Sequence, residues 1–257
     1  MAKRRIKKEF KKKITSISIL ILITTLIILA VSAGQYYVVY KEDLTPVESK
    51  KEYYHLSDFG FVREKSKQDY DKDNIDDYTD IFEGEKQYAK LNPHYISKYY
   101  AGGYPEVEKE GVCTDLIWYA LKNAGYDLKK MIDKDIELTK KKNTYDIEIV
   151  DPNIDFRRVG PQNTFFSRYA TSLETDIYDT GKFMPGDIVV FDGTDHIAMI
   201  SDKYNVNGVP YLIQNRDESQ KTKEEDRLEV TDMKVTSHYR FEYTDKVQDL
   251  INKLDWN

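Results

Sequence analysis

The chain has 257 residues, with 39 Lys and Arg, 45 Asp and Glu, and a formal net charge of -6. Residues 1–13 hold eight of the basic residues and one of the acidic, so the remainder carries 31 basic against 44 acidic. An acidic domain lacks the Lys and Arg that phosphate contacts need, which excludes nucleic acid and anionic membrane surfaces as its partners. A single cysteine excludes an internal disulfide.

The basic tail, 1–13, leads into an uncharged run from Ile14 to Tyr40, dense in Ile and Leu up to Gly34. Residues 14–34 are about the 20 needed to cross a bilayer as a helix. The positive cluster before them orients the amino terminus to the cytoplasm, and Tyr36, Tyr37 and Tyr40 fit an outer interfacial belt. Val31-Ser32-Ala33 also resembles a signal-peptide cleavage site, but the apolar run is long for a signal core and favours an uncleaved anchor. Either way the rest of the chain is exported. Residues 35–60 are expected to be a stalk and 61–257 a folded extracytoplasmic domain.

Asp69, Asp71 and Asp73 fall at positions one, three and five of a calcium-type loop. Ile75 would offer its carbonyl at seven, with Asp77 at nine and Asp80 at twelve. Asn74 replaces the usual Gly, and Asp80 the longer Glu. The alternatives are a structural calcium site and a solvated acidic turn. Further on, Leu116, Ile117, Ala120, Leu121 and Ala124 form one helical face, with Gly125 as its stop. Residues 126–180 read as a mixture of short helical and extended pieces. Then Pro185-Gly186-Asp187 turns into the strand 188–191, Asp192-Gly193 turns into a second strand at 196–201, and Asn207-Gly208 leads to a third at 211–214. A short amphipathic helix is expected from Asp245. A helix followed by an antiparallel meander is an α+β arrangement.

Cys113 lies where the first of these helices should begin. Unpaired N–H groups and a partial positive charge at a helix start stabilise a thiolate, so a lowered pKa is expected there. The competing reading is a small buried hydrophobe. His196, at the start of a strand, is the candidate base. Gln214, on the neighbouring strand, could hold the imidazole through its second nitrogen, the orienting role in a triad. His55 and His94 are expected in solvent, and His238 as a structural hydrogen-bonding residue. Tyr99, Tyr100 and Tyr104 either line a groove or simply edge the domain.

Taken together, a cysteine at a helix start, a histidine on the second strand and a polar residue on the third resemble the NlpC-type papain-like cysteine peptidases. More closely, the chain resembles the bacterial YijF-like domain-of-unknown-function family within that superfamily. The carriers run from about Asp71 to Phe241: Tyr99 to Pro105, Gly111-Val112-Cys113-Thr114-Asp115, Asp151 to Arg158, Pro185 to Phe191, His196 to Asp202 and His238-Tyr239-Arg240. The resemblance implies a papain-like α+β domain with its nucleophile helix packed on an antiparallel sheet. It implies Cys113 as nucleophile, His196 as general base and Gln214 as the ring-orienting residue. It also implies hydrolysis of an amide bond, in peptidoglycan peptides, without a catalytic cofactor. Relatives read His-Asn where this chain has Gln214-Asn215, and that departure favours the main alternative, a papain-like module that binds wall peptides or a protein without cutting. A structural scaffold is the third option.

Overall fold

The computed structural model describes residues 21–32, 52–216 and 222–254, and it divides into two units, 1–51 and 52–257. Of the first unit, residues 21–32 are helical (α1) with exposed side chains. The basic tail 1–13 and the remainder of the expected span 14–34 lie outside the described residues. Among the described residues no helix is long and apolar enough to cross a membrane.

The second unit begins earlier than the expected stalk boundary. Tyr54 bridges to Tyr204, and Leu56 is buried with Met184 and Tyr204, so residues 52–60 pack on the domain. The helices are α2 (Asp77–Leu91), α3 (Cys113–Asn123), α4 (Leu128–Thr139), α5 (Val159–Tyr169) and α6 (Asp245–Ile251). Strands β1 (His94–Tyr95) and β2 (Glu110–Gly111) form a small parallel pair. The main sheet contains β3 (Thr171–Ser172), β4 (Ile188–Phe191), β5 (His196–Tyr204), β6 (Pro210–Gln214), β7 (Lys223–Glu225) and β8 (Val235–Arg240), in the order β3-β8-β4-β5-β6-β7. All neighbours are antiparallel, so β4 to β6 form the expected three-stranded meander, β7 extends it by a further strand, and β8 returns to the other side of β4.

Every residue of β4 is buried because the sheet is covered on both faces. Ile188, Val190, Ile197, Met199 and Ile213 share a core with Leu116 and Ile117 of α3. The alternate residues Val189, Phe191, Ala198, Ile200 and Leu212 pack with Phe183 and Leu228. Continuous apolar runs, rather than strict alternation, follow from that double burial.

Helix α2 was not anticipated, and α4 and α5 are the helical pieces expected, without bounds, within 126–180. Helix α2 is polar, but Asp76 caps its start by accepting the Thr79 N–H, and its Gly84 faces α3. A Cβ at Gly84 would come within 2.8 Å of the Ala120 backbone, so glycine sets how closely α2 and α3 approach. Helix α4 buries a stripe of Leu128, Met131, Ile132 and Ile136 in a Lys/Asp-rich segment. Helix α5 carries Pro161 in its first turn, where the missing N–H costs nothing. Helix α6 starts where expected, its Thr244 side chain accepting the Val247 N–H.

Candidate active site

Cys113 is the first residue of α3. Val112, before it, is extended and has no capping group of its own. Asp115 closes the turn by accepting the Val112 N–H at 2.8 Å. The same carboxylate accepts the Trp118 indole N–H at 2.7 Å and two bonds from Arg157, Nε and Nη2, each at 2.7 Å. Arg157 also donates to the Lys98 carbonyl, and its guanidinium lies 4.7 Å from the Tyr100 ring centre. From the neighbouring α5, Gln162 donates to the Thr114 carbonyl at 3.1 Å. The helix start is thus fixed from three directions.

Cys113 packs in one buried core with Ile197, the residue directly after His196. Cys113 is 7% exposed. Burial pushes it up to about 11, and the Asp115 charge adds to the rise, while the N–H groups of Ile197, Thr114 and Cys113 itself pull it down. This reverses the lowered pKa expected at a helix start. The stabilising N–H groups are present, but low solvation and an acidic residue in the same first turn outweigh them.

His196 is 4% exposed, and its ring stacks on Phe191 with centroids 5.8 Å apart. Its Nε2 lies 2.8 Å from the Gln214 Oε1. The Gln214 Nε2 donates in turn to the Glu225 carboxylate at 2.8 Å. Burial lowers the His196 pKa to about 4; the Gln214 bond opposes this and the Arg216 charge reinforces it. Near neutral pH the imidazole of His196 is therefore neutral and the thiol of Cys113 protonated.

Asn215, the next residue along from Gln214, is turned to the α3 side, where its Nδ2 donates to the Gly111 carbonyl at 3.2 Å. The Tyr88 hydroxyl lies against Gly111, leaving no room there for a Cβ. His238 has the expected structural role: its Nε2 meets Asp187 Oδ2 at 2.9 Å, its Nδ1 meets the Glu174 carbonyl at 2.7 Å, and its ring stacks on Phe183. Arg240 completes that cluster with two bonds to Asp187. His94 is exposed, and the exposed His55 places Nδ1 2.9 Å from the Asp202 carbonyl. Tyr104 packs on Trp118 and Phe156, Tyr100 lies under Arg157, and the Tyr99 hydroxyl accepts from Asn153.

In the acidic loop, the carboxylates of Asp69, Asp71 and Asp73 offer oxygens within 4.8 Å of one another. Asp69 accepts the Asp73 and Asn74 N–H groups, and Asp73 accepts that of Ile75. Asp77 gives its two oxygens to the Tyr70 N–H and the Tyr126 hydroxyl, so position nine is committed to protein donors. Asp80 is 2% exposed, and its carboxyl is raised to about 7 by burial and then by the charges of Asp73 and Asp71.

Two roles escaped the sequence reading. Asp115 and Arg157 both lie in segments that carry the family resemblance, but nothing in their spacing, 42 positions apart, joins them. Glu225 sits in a Lys/Glu-rich stretch that reads as solvated surface, and only the pairing of β6 with β7 brings it to Gln214.

Fold and site define an α+β protein with a buried cysteine at the start of a helix packed on an antiparallel sheet, and a buried histidine on that sheet held by an amide. The model of a domain of unknown function, DUF1287, matches residues 82–241, and the chain belongs to that family. It is also similar to "Uncharacterized protein YijF" of Escherichia coli (strain K12), 31% identical over 155 residues, covering 58% of this chain and 73% of that protein. The matched region contains Cys113, His196, Gln214 and Glu225, while the acidic loop lies before it.

Proposed function

We propose that this protein is a membrane-anchored, extracytoplasmic cysteine hydrolase of papain-like, NlpC-type architecture that cleaves an amide bond, with peptidoglycan peptides as its substrate class. The observation that carries the reading is the position of Cys113 at the start of α3, packed in one core with Ile197, the residue directly beyond His196, whose Nε2 is held by Gln214. In this mechanism the thiol and imidazole start neutral. The sulfur attacks the carbonyl carbon as His196 Nδ1 takes its proton. The tetrahedral oxyanion collapses and expels the amine, which receives that proton. Water, deprotonated by the same imidazole, then attacks the thioester and releases the carboxylic acid and the thiol. The anchor is residues 14–34, and the exposed apolar side chains of residues 21–32 suit a lipid-facing helix.

The test is a digest of purified peptidoglycan by the full-length protein in detergent, read by mass spectrometry of the released peptides, beside Cys113→Ala and His196→Ala. New products that vanish in both variants support the hydrolase and identify the bond. No products from folded protein across several wall chemistries would overturn it.

A second reading is a binding module that holds wall peptides without cutting. The burial and raised pKa of Cys113 favour it. It predicts peptidoglycan pull-down that is unchanged in Cys113→Ala.

A further inference from the structure

We propose that Glu225 is a positioning residue that sets the tautomer of His196 by holding the amide of Gln214. The proposal rests on the Cys113–His196 reading for its functional meaning, but its structural content can be tested separately.

A glutamine beside a histidine is ambiguous, since its amide can present either an oxygen or an NH2 group to the ring. The two orientations have opposite consequences. If the oxygen faces Nε2, the ring carries its proton there and Nδ1 keeps a lone pair. If the NH2 faces Nε2, that nitrogen must accept, the proton moves to Nδ1, and the ring has no base to offer on that side. Glutamine alone does not choose between them.

Glu225 makes the choice. It lies on β7, partly buried, in register with Leu212 of β6, and strand alternation puts Leu212, Gln214 and Glu225 on one face of the sheet. A carboxylate only accepts hydrogen bonds, so the Gln214 group that meets Glu225 at 2.8 Å is its NH2. The oxygen is then the group 2.8 Å from His196 Nε2, which must carry the proton. Among the described residues, Nδ1 of His196 has no hydrogen-bond partner. The relay therefore runs from an acceptor-only carboxylate, through an amide, to an imidazole with a free lone pair. It lets a neutral glutamine do reliably what an ionised orienting residue does by charge.

The test separates donors from acceptors at position 225. Glu225→Gln can still accept from the Gln214 NH2, whereas Glu225→Lys can only donate, and so draws the Gln214 oxygen to itself and turns the NH2 to His196. Adding Gln214→Glu to Glu225→Lys restores an acceptor facing both neighbours. The readout is the tautomer of His196 by 15N NMR of the full-length protein, with His196→Asn assigning the signal, and far-UV circular dichroism checking the fold. Wild type and Glu225→Gln should show the Nε2–H form, Glu225→Lys the Nδ1–H form, and the double variant a return to Nε2–H. Hydrolysis, where measured, should fall by about a hundredfold or more in Glu225→Lys, within the range a general base contributes, and recover in the double variant. A wild-type ring protonated on Nδ1, or a folded Glu225→Lys protein that keeps Nε2–H, overturns the proposal. A tautomer that switches as expected in a protein that cleaves nothing supports the relay and removes the hydrolase reading instead.

Discussion

Asp115 and Arg157 form a two-bond ion pair beneath the start of the cysteine helix, with the Arg157 side chain 3% exposed and that of Asp115 fully buried. Because Asp115 also caps Val112, the pair fixes the residue immediately before Cys113. Removing one partner leaves an uncompensated buried charge, which costs about 3–5 kcal/mol. Arg157→Leu should therefore lower the unfolding free energy by about that much in denaturant titration, and Arg157→Leu with Asp115→Asn should recover part of the loss. A single variant within 1 kcal/mol of wild type, on the order of an exposed pair, would show that the pair does not hold the helix start.

Cys113 should be a slow thiol. Its pKa of about 11 stands two units above the ordinary 9.0, and each unit reduces the thiolate fraction about tenfold. Iodoacetamide at pH 7.5 should modify the folded protein about a hundredfold more slowly than the urea-unfolded protein. Faster labelling of the folded form would mean that an ion pair with His196 exists at rest.

His196 governs the acid side. Its folded pKa, about 4, lies below the ordinary 6.5, so between these values the unfolded chain binds more protons than the folded one. The stability tied to the neutral ring is complete above about pH 6.5 and is lost as the pH falls through that window to about 4. His196→Asn should lose less stability than wild type between pH 6.5 and pH 4, as read from melting temperatures. Hydrolysis by the wild type should keep its rate down to about pH 5, since the base remains unprotonated there.

Asp80 acts in the opposite direction. Its folded pKa, about 7, is raised above the ordinary 3.8, so the unfolded chain gives up its proton first as the pH climbs. Stability should therefore fall between about pH 4 and pH 7. Asp80→Asn should melt higher than wild type at pH 8, by about 2–4 °C for each kcal/mol recovered, and the two should coincide below pH 4. Equal melting temperatures at pH 8 would show that the Asp71 and Asp73 charges do not reach it.

The amino-acid sequence by itself determined the meander, the cysteine helix and its glycine stop, because apolar periodicity and turn residues act over a few positions along the chain. It also placed Cys113, His196 and Gln214 on the elements that carry them. It missed α2 and left the bounds of α4 and α5 open, because their amphipathic stripes are narrow and their burial depends on neighbours far along the chain, as Gly84 of α2 against Ala120 shows. What only the tertiary structure decided is the electrostatics. The helix start predicts an acidic thiol, but burial and the first-turn carboxylate of Asp115 reverse the sign. The Asp115–Arg157 pair and the Glu225–Gln214–His196 relay are likewise invisible locally, since each joins residues that chain folding alone brings within hydrogen-bond reach.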